Sequence, residues 1–188
     1  MWGRIGRGAA WLGMAIFGAA ALYAGVTVAQ GNLHAVIPGE LYRSATLSGP
    51  QLEATLSGLN IRTIVNLRGA SPDQGWYREE VRLASTHGAT LIDLPWSARR
   101  ELTDAEVADF MARLKDAPRP ILIHCRSGAD RTGLAAALYL AAIKRSDEET
   151  AESQLSLWFG HIALPFTPFY AMDETFERLE PSLGYFDS

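Results

Sequence analysis

Cys125 is the chain's only cysteine, set in ILIHCRSGADRTG with Gly128 three residues after it and Arg131 six residues after it. The apolar run Ile121–Ile123 before it and the small-residue stretch after Arg131 predict a strand ending at His124, a tight turn from Cys125 to Arg131, and a helix beginning near Thr132. Backbone N–H groups in such a turn converge, and the helix N-terminus adds positive potential, so the segment makes a cradle the size of a phosphate. Its amides run through Arg126, Ser127, Gly128, Ala129, Asp130 and Arg131. Gly128 permits a backbone conformation that a Cβ would resist. The same field stabilises a thiolate at Cys125 and activates it as a nucleophile. The planar fork of Arg131 suits two phosphate oxygens. A lone thiol with this surrounding points to phosphoryl transfer through a phosphocysteine. The plain alternative, a buried cysteine packing as a small hydrophobe, leaves the spacing unexplained.

The same count excludes other chemistries. One cysteine allows neither an internal disulfide nor a multi-thiolate zinc site, and it leaves no resolving partner for redox work. No metal-ligand cluster, dinucleotide glycine motif or Walker lysine is present, so neither a metal nor a cofactor is expected. A net charge of −4 gives no footprint for nucleic acid.

The elements that must position this turn can be read from periodicity. Leu41–Arg43 suits a short strand, and LSGPQLEATLSGLN a helix with Ser48 at its N-cap and Pro50 in its first turn. The β-branched run Ile61–Arg68 predicts a strand, DQGWYREEVRLASTHG a helix ending at Gly88, and ATLIDLP a further strand. Thr103 and Glu106 form a capping box, followed by Val107, Phe110, Met111 and Leu114 on one helical face. TGLAAALYLAAIK is apolar nearly all round and so predicts a buried helix. Ser146 with Glu149 suggests another capping box, opening a helix over DEETAESQLSLWF, and a last helix is expected from about Thr167 to Leu179. Strands alternating with helices imply an α/β architecture with a central, mostly parallel sheet flanked by helices.

With 188 residues, 48% of them hydrophobic and 20% charged, the chain has room for one ordinary globular domain and an appendage. The appendage is the first thirty residues. Arg4 and Arg7 precede an uncharged span from Gly8 to Ala29, which at about 1.5 Å per residue is long enough to cross a bilayer. The expected organisation is therefore a transmembrane anchor or signal peptide over 1–30, a linker over 31–40, and a catalytic domain over 41–188. The arginines favour a cytoplasmic N-terminus and an extracytoplasmic, periplasmic catalytic domain; a cleaved signal peptide would export the domain as well.

HCRSGADRTG resembles the signature loop of the cysteine-dependent protein tyrosine phosphatase superfamily, H-C-x-x-G-x-x-R-[ST], matched by His124, Cys125, Gly128, Arg131 and Thr132. The domain size, with ELYRSATLS and IRTIVNLR upstream, resembles exported bacterial members of the dual-specificity branch. The resemblance covers about Glu40 to Ala142 and implies that fold and phosphate-monoester hydrolysis. It implies Cys125 as nucleophile, Arg131 as phosphate ligand, Thr132 aiding thiolate release and His124 orienting the loop. It leaves the general acid between two residues. Asp93, 32 residues before Cys125, has a separation similar to that in dual-specificity members but lies within a strand. Asp130 gives the loop the form C-x-x-G-x-D-R-T, which resembles myotubularin and some bacterial phosphoinositide phosphatases. Expected partners are a phosphorylated substrate and the membrane. A membrane phospholipid phosphate such as phosphatidylglycerophosphate is the first substrate reading, and phosphotyrosine on an exported or membrane protein the second. A silent phosphate-binding module and a rhodanese-like sulfurtransferase fit less well, since both Cys125 and Arg131 are present. Arg99 and Arg100 are candidates for a second anionic group, though a solvated loop pair is the simpler reading; Arg68 sits on the same rim. The aromatic segment LWFGHIALPFTPFY is expected chiefly to close the core, and His161 within it has no assigned role.

Overall fold

The computed structural model describes residues 30–165 and 167–186, together with Trp11, Met14, Gly18, Leu22, Tyr23 and Val26, all six helical. Most of the expected membrane span Gly8–Ala29 lies outside the described residues. Among the described residues no helix is long and apolar enough to cross a membrane.

Five strands form one mixed sheet: β1 His34–Ile37, β2 Leu41–Ser44, β3 Thr63–Asn66, β4 Thr90–Asp93 and β5 Ile121–His124. Their order is β1-β2-β5-β3-β4, with β1 antiparallel to β2 and every other pair parallel. The stretch expected to be a linker thus supplies the edge strand β1. Its alternation is hard to read because Pro38 and Gly39 follow at once. All four residues of β5 are buried, as are all four of β3, which is why both read as β-branched or apolar runs.

Because side chains alternate across a strand, Ile64 and Leu122 face one side while Val65, Ile121 and Ile123 face the other. The first side is covered by α1 (Gly49–Gly58) and α2 (Gly75–Thr86) through Leu52, Leu56, Leu83 and Ala84. The second and larger core takes α3 (Asp104–Lys115), α4 (Asp130–Leu138, continued by a π-helical turn Tyr139–Lys144) and α6 (Ala171–Leu183). Val107, Phe110 and Leu114 enter it from α3, with Met111 at its edge. The Thr103–Glu106 capping box is formed, and Gln51 accepts from the Ser48 amide at the start of α1.

Two expectations give way in the C-terminal third. The helix after the π turn is capped by Asp147, whose carboxylate accepts from the Thr150 amide, and it runs only over α5, Glu148–Glu152. Asp147 accepts at the position Ser146 was expected to take, and it adds a negative charge at the helix N-terminus. The aromatic segment does not chiefly close the core either. Leu157, Trp158, Ile162 and Leu164 are exposed, and Tyr23 rests on Trp158 with its hydroxyl on the Trp158 carbonyl. Among its described residues, Phe159 lies against Arg43 and His161 is buried, for reasons that belong to the site.

Helix α4 is pressed against the chain just after α5. A Cβ on Gly133 would meet the Gln154 carbonyl oxygen at 2.8 Å and Leu155 Cδ2 at 2.9 Å. Alanine would gain about 1 kcal/mol of intrinsic helix propensity there. The backbone clash outweighs that gain, so Gly133→Ala is expected to destabilise the fold by about 1–3 kcal/mol. Equilibrium urea unfolding measures it, and an unchanged or raised midpoint refutes the close approach.

Candidate active site

The loop from Cys125 to Ala129 leaves the C-terminal end of β5, the middle strand of the sheet, and runs into α4 at Asp130. Its carbonyls all accept hydrogen bonds from outside the loop. Thr46 Oγ1 donates to the Cys125 carbonyl at 3.0 Å and the Thr46 amide to that of Arg126 at 3.4 Å. Asn32 Nδ2 donates to the Ser127 carbonyl at 3.0 Å. Arg43 Nη2 donates to Gly128 at 2.9 Å and Ala129 at 3.3 Å. Since the C=O and N–H of a planar trans peptide point opposite ways, carbonyls drawn outward turn the amides of Arg126 to Asp130 inward. That is the cradle expected from the sequence, with its cause supplied by β2 and the segments flanking it.

Gly128 makes the turn possible. It has φ +74°, and a Cβ there would stand 2.6 Å from the Ala45 nitrogen and 2.8 Å from the Ser44 carbonyl oxygen. Both the conformation and the approach to the end of β2 demand glycine. Cys125 itself is buried at 1% exposure.

Arg131 points its Nη1 away from solvent, donating to the carbonyls of Leu67 at 2.9 Å and Trp96 at 3.1 Å. Its Nε is buried without a partner among the described residues. The guanidinium is therefore fixed by one nitrogen while its Nε edge keeps its donor free. Thr132 Oγ1, one residue on, is likewise buried and unpartnered among the described residues.

Two buried histidines bracket the loop. At its start, His124 Nε2 stands 2.7 Å from Glu80 Oε1 of α2, both side chains almost fully buried. Among the described residues Nε2 has no aligned hydrogen-bond partner, so this is a close polar contact between two buried side chains. At its end, His161 Nδ1 is 2.8 Å from Asp130 Oδ1, and Nε2 is 2.9 Å from Asp173 Oδ2 of α6. Burial alone would lower the His161 pKa; the hydrogen bonds and charges of the two carboxylates outweigh it and lift the pKa to about 9. Asp130 is thus joined to a cation. Asp93 stands elsewhere, at the end of β4 with β3 between it and β5. Its Oδ1 accepts from Asn66 Nδ2 at 2.8 Å and its Oδ2 from Tyr77 Oη at 2.5 Å, which pushes the tyrosine up to about 12.

Of the outlying arginines, Arg100 grips Glu106 with both Nη atoms, at 2.8 and 2.7 Å, and holds that carboxylate at about 2, so it is a structural pair on α3. Arg99 is exposed. Arg68, by contrast, reaches the loop through Thr46 Oγ1 at 2.9 Å. Sequence reasoning missed Arg43, Glu80 and the part played by His161. Glu80 had a usable signal, because it falls with Leu83 and Ala84 on the buried face of α2 at i, i+3 and i+4.

A family model described as "Tyrosine phosphatase family" matches residues 23–153. Dual specificity protein phosphatase TpbA of Pseudomonas aeruginosa strain UCBPP-PA14 is 35% identical over 126 residues, covering 66% of this chain and 53% of that protein. The chain therefore spans about half the length of the curated relatives it matches. Its structure is similar to that of P. aeruginosa TpbA, with TM-score 0.60, 29% identity and coverage of 82% of this chain and 91% of that one. A TpbA variant in complex with pTyr gives TM-score 0.60 at 27% identity, covering 81% and 90%. Tk-PTP in the active form shares the fold alone, with TM-score 0.61 at 14% identity and coverage of 79% and 96%.

The His161 bridge carries a pH dependence of definite sign. A histidine raised from 6.5 to about 9 on folding stabilises fully below its unfolded value, and that contribution is lost as pH rises through about 9. Thermal midpoints of wild type and His161→Gln are expected to differ most at about pH 6, to approach each other as pH rises, and to converge by about pH 10. A difference that stays constant across that range would refute a protonated bridge.

Proposed function

The chain belongs to the tyrosine phosphatase family, and we propose that it hydrolyses phosphate monoesters through a phosphocysteine, with phosphotyrosine in proteins as the substrate. In this reading Cys125 Sγ attacks phosphorus and the bond to the leaving oxygen breaks. The amides of Arg126 to Asp130 and the Nε edge of Arg131 hold the phosphoryl oxygens as charge shifts onto them. Thr132 Oγ1 supports the thiolate as water later hydrolyses the intermediate. His124, against Glu80, orients the loop's first residue.

The observation that carries the reading is the outward rotation of every loop carbonyl around a buried cysteine, with an arginine anchored on one nitrogen only. Such a site is built for a tetrahedral dianion. The phosphotyrosine choice is supported by TpbA, named a dual specificity protein phosphatase and solved with pTyr. The phospholipid reading keeps only its sequence motif and the apolar N-terminal span, and neither describes a headgroup contact. It enters as one arm of the test.

For the proton to the leaving group we propose Asp130. It adjoins Arg131 in the loop, and only its Oδ1 is engaged among the described residues, whereas both oxygens of Asp93 are held by Asn66 and Tyr77.

Phosphate release is to be measured from a phosphotyrosine peptide, p-nitrophenyl phosphate and phosphatidylglycerophosphate in mixed micelles. Cys125→Ser is expected to abolish release, and the peptide to exceed the lipid in kcat/KM. Asp130→Asn is expected to lower kcat on the peptide by about 10²–10⁴, with less loss on p-nitrophenyl phosphate, whose leaving group needs no proton. Asp93→Asn should cost less than about tenfold on either substrate. Turnover that survives Cys125→Ser defeats the thiol mechanism, and equal losses on both leaving groups defeat Asp130 as the acid.

A further inference from the structure

Several arginines on this surface are paired with carboxylates. Arg82 holds Glu79, Arg100 holds Glu106, Arg113 holds Asp109, and Arg178 holds both Glu101 and Asp104. Arg68 is arranged differently. Its guanidinium carbon lies 3.6 Å from the centre of the Trp76 ring, and its Nη1 donates to Thr46 Oγ1 at 2.9 Å. The carboxylate that acts on it from a distance is Glu80, which is already in contact with His124.

The position of Arg68 relative to the cradle follows from bonds on both sides. Thr46 Oγ1, which takes its Nη1, donates in turn to the Cys125 carbonyl. Leu67, the residue before it, gives its carbonyl to Arg131 Nη1. Arg68 is therefore one hydroxyl from the candidate nucleophile's backbone and one residue from the anchor of Arg131. The side chain of Arg126, the loop residue after Cys125, is exposed on the same rim. Burial lowers the Arg68 pKa, and the like charges of Arg131 and Arg126 lower it further. Holding a half-buried cation against two others is unfavourable unless an anion comes to stand among them. A phosphate monoester is already met by Arg131 and the loop amides, which leaves Arg68 and Arg126 in excess of what one phosphoryl group requires.

We propose that Arg68, braced on the face of Trp76, forms with Arg126 a second anion subsite beside the cradle, so that preferred substrates carry a second acidic group, phosphate or carboxylate, next to the scissile phosphate. The proposal rests on the phosphatase reading and names the substrate class of that same site. The indole holds the guanidinium flat and shields one face from water, which strengthens its attraction for an anion at its free edge. On a protein substrate the second group is an acidic residue flanking the phosphotyrosine; on a small molecule it is a second phosphate.

The test separates these sources. Inorganic phosphate and pyrophosphate are titrated calorimetrically into the full chain carrying Cys125→Ser, alone and combined with Arg68→Gln, Arg68→Lys or Trp76→Leu. In parallel, with Cys125 intact, kcat/KM of the wild type and of Arg68→Gln is measured for phosphotyrosine peptides flanked by Glu or by Ala. The Cys125→Ser protein is expected to bind pyrophosphate about tenfold more tightly than phosphate, the scale of one charge-assisted contact. That preference should fall to about twofold or less with Arg68→Gln or Trp76→Leu and be partly kept with Arg68→Lys. A Glu-over-Ala preference lost in Arg68→Gln identifies the carboxylate source; loss of the pyrophosphate preference alone identifies the diphosphate source. The ratio is the readout because general damage to the loop weakens both anions alike. An equal ratio in Arg68→Gln and its parent, or no preference in the parent on either measure, overturns the subsite and leaves the phosphatase reading standing. If the parent binds neither anion and the wild type does not turn over p-nitrophenyl phosphate, the phosphatase reading fails and the subsite falls with it.

Discussion

The geometry of the site depends on one constraint: the carbonyls of Cys125 to Ala129 must face outward, and each needs a donor waiting there. A turn of five peptides with its amides converging is unfavourable by itself, because the inward dipoles repel one another and the outward carbonyls lose their water. The surrounding protein resolves both problems with donors from ahead of the loop in sequence, the side chains of Asn32, Arg43 and Thr46 and the Thr46 amide. Arg43 is the most committed of these. It is fully buried, it spends both Nη atoms on the carbonyls of Gly128, Ala129 and Gln154 and on the Gln154 side chain, and Phe159 lies against its plane at 3.8 Å. Removing a buried cation of this kind strands several carbonyls at once, each at a cost of about 1–3 kcal/mol. The sheet order follows the same need. With β5 between β2 and β3, the loop leaving β5 is flanked by Arg43 and Thr46 on one side and by Leu67 and Arg68 on the other.

The two histidines serve complementary ends of that arrangement. His124 sits at the last position of β5 and meets Glu80 from the helix on one face of the sheet. His161 meets Asp130 at the first residue of α4 and ties it to Asp173 in α6 on the other face. The loop is thereby attached at its entrance to one layer of helices and at its exit to the other. Since the bridge at the exit has carboxylates on both ring nitrogens, it is satisfied only with the imidazole protonated. The shoulder of the loop is therefore held by a charge the protein has to maintain, whereas the carbonyl side is held by neutral donors and the Arg43 guanidinium.

Much of this was legible beforehand, and the boundary falls where local signals stop. The strand–turn–helix around Cys125, the capping box at Thr103, the α3 face and the buried α4 are local or periodic features, and each appears as read. Cys125, Arg131, Gly128 and Thr132 could be picked out because their spacing is itself the signal. Arg43 could not, since an arginine in a four-residue strand gives no sign that it is fully buried, and its partners lie 85 and 111 residues away. His161 was hidden by its neighbours. Among Leu157, Trp158, Ile162 and Leu164 the expectation of core packing was reasonable, yet what turns inward is the polar ring, because the loop and α6 present it with two carboxylates. The strand at His34–Ile37 reads as a linker in the sequence because an edge strand beside Pro38 and Gly39 carries little alternation.

Taken together, the arginines around the cradle form a series ordered by how much of their donor capacity the protein has already used. Arg43 uses both Nη atoms on the fold and is closed to solvent. Arg131 uses one nitrogen on the carbonyls of Leu67 and Trp96 and keeps Nε free. Arg68 uses one nitrogen on a hydroxyl and rests its plane on an indole. Arg126 extends into solvent. Both Arg43 and Arg131 leave Nε unpartnered among the described residues, so what separates them is access: a guanidinium sealed from solvent with both Nη atoms engaged is a strut, and one held by a single nitrogen keeps donors for something that arrives. On that criterion the site has one arginine spent on its architecture, one that is the proposed phosphoryl ligand, and a third braced on an indole as the proposed second anion contact.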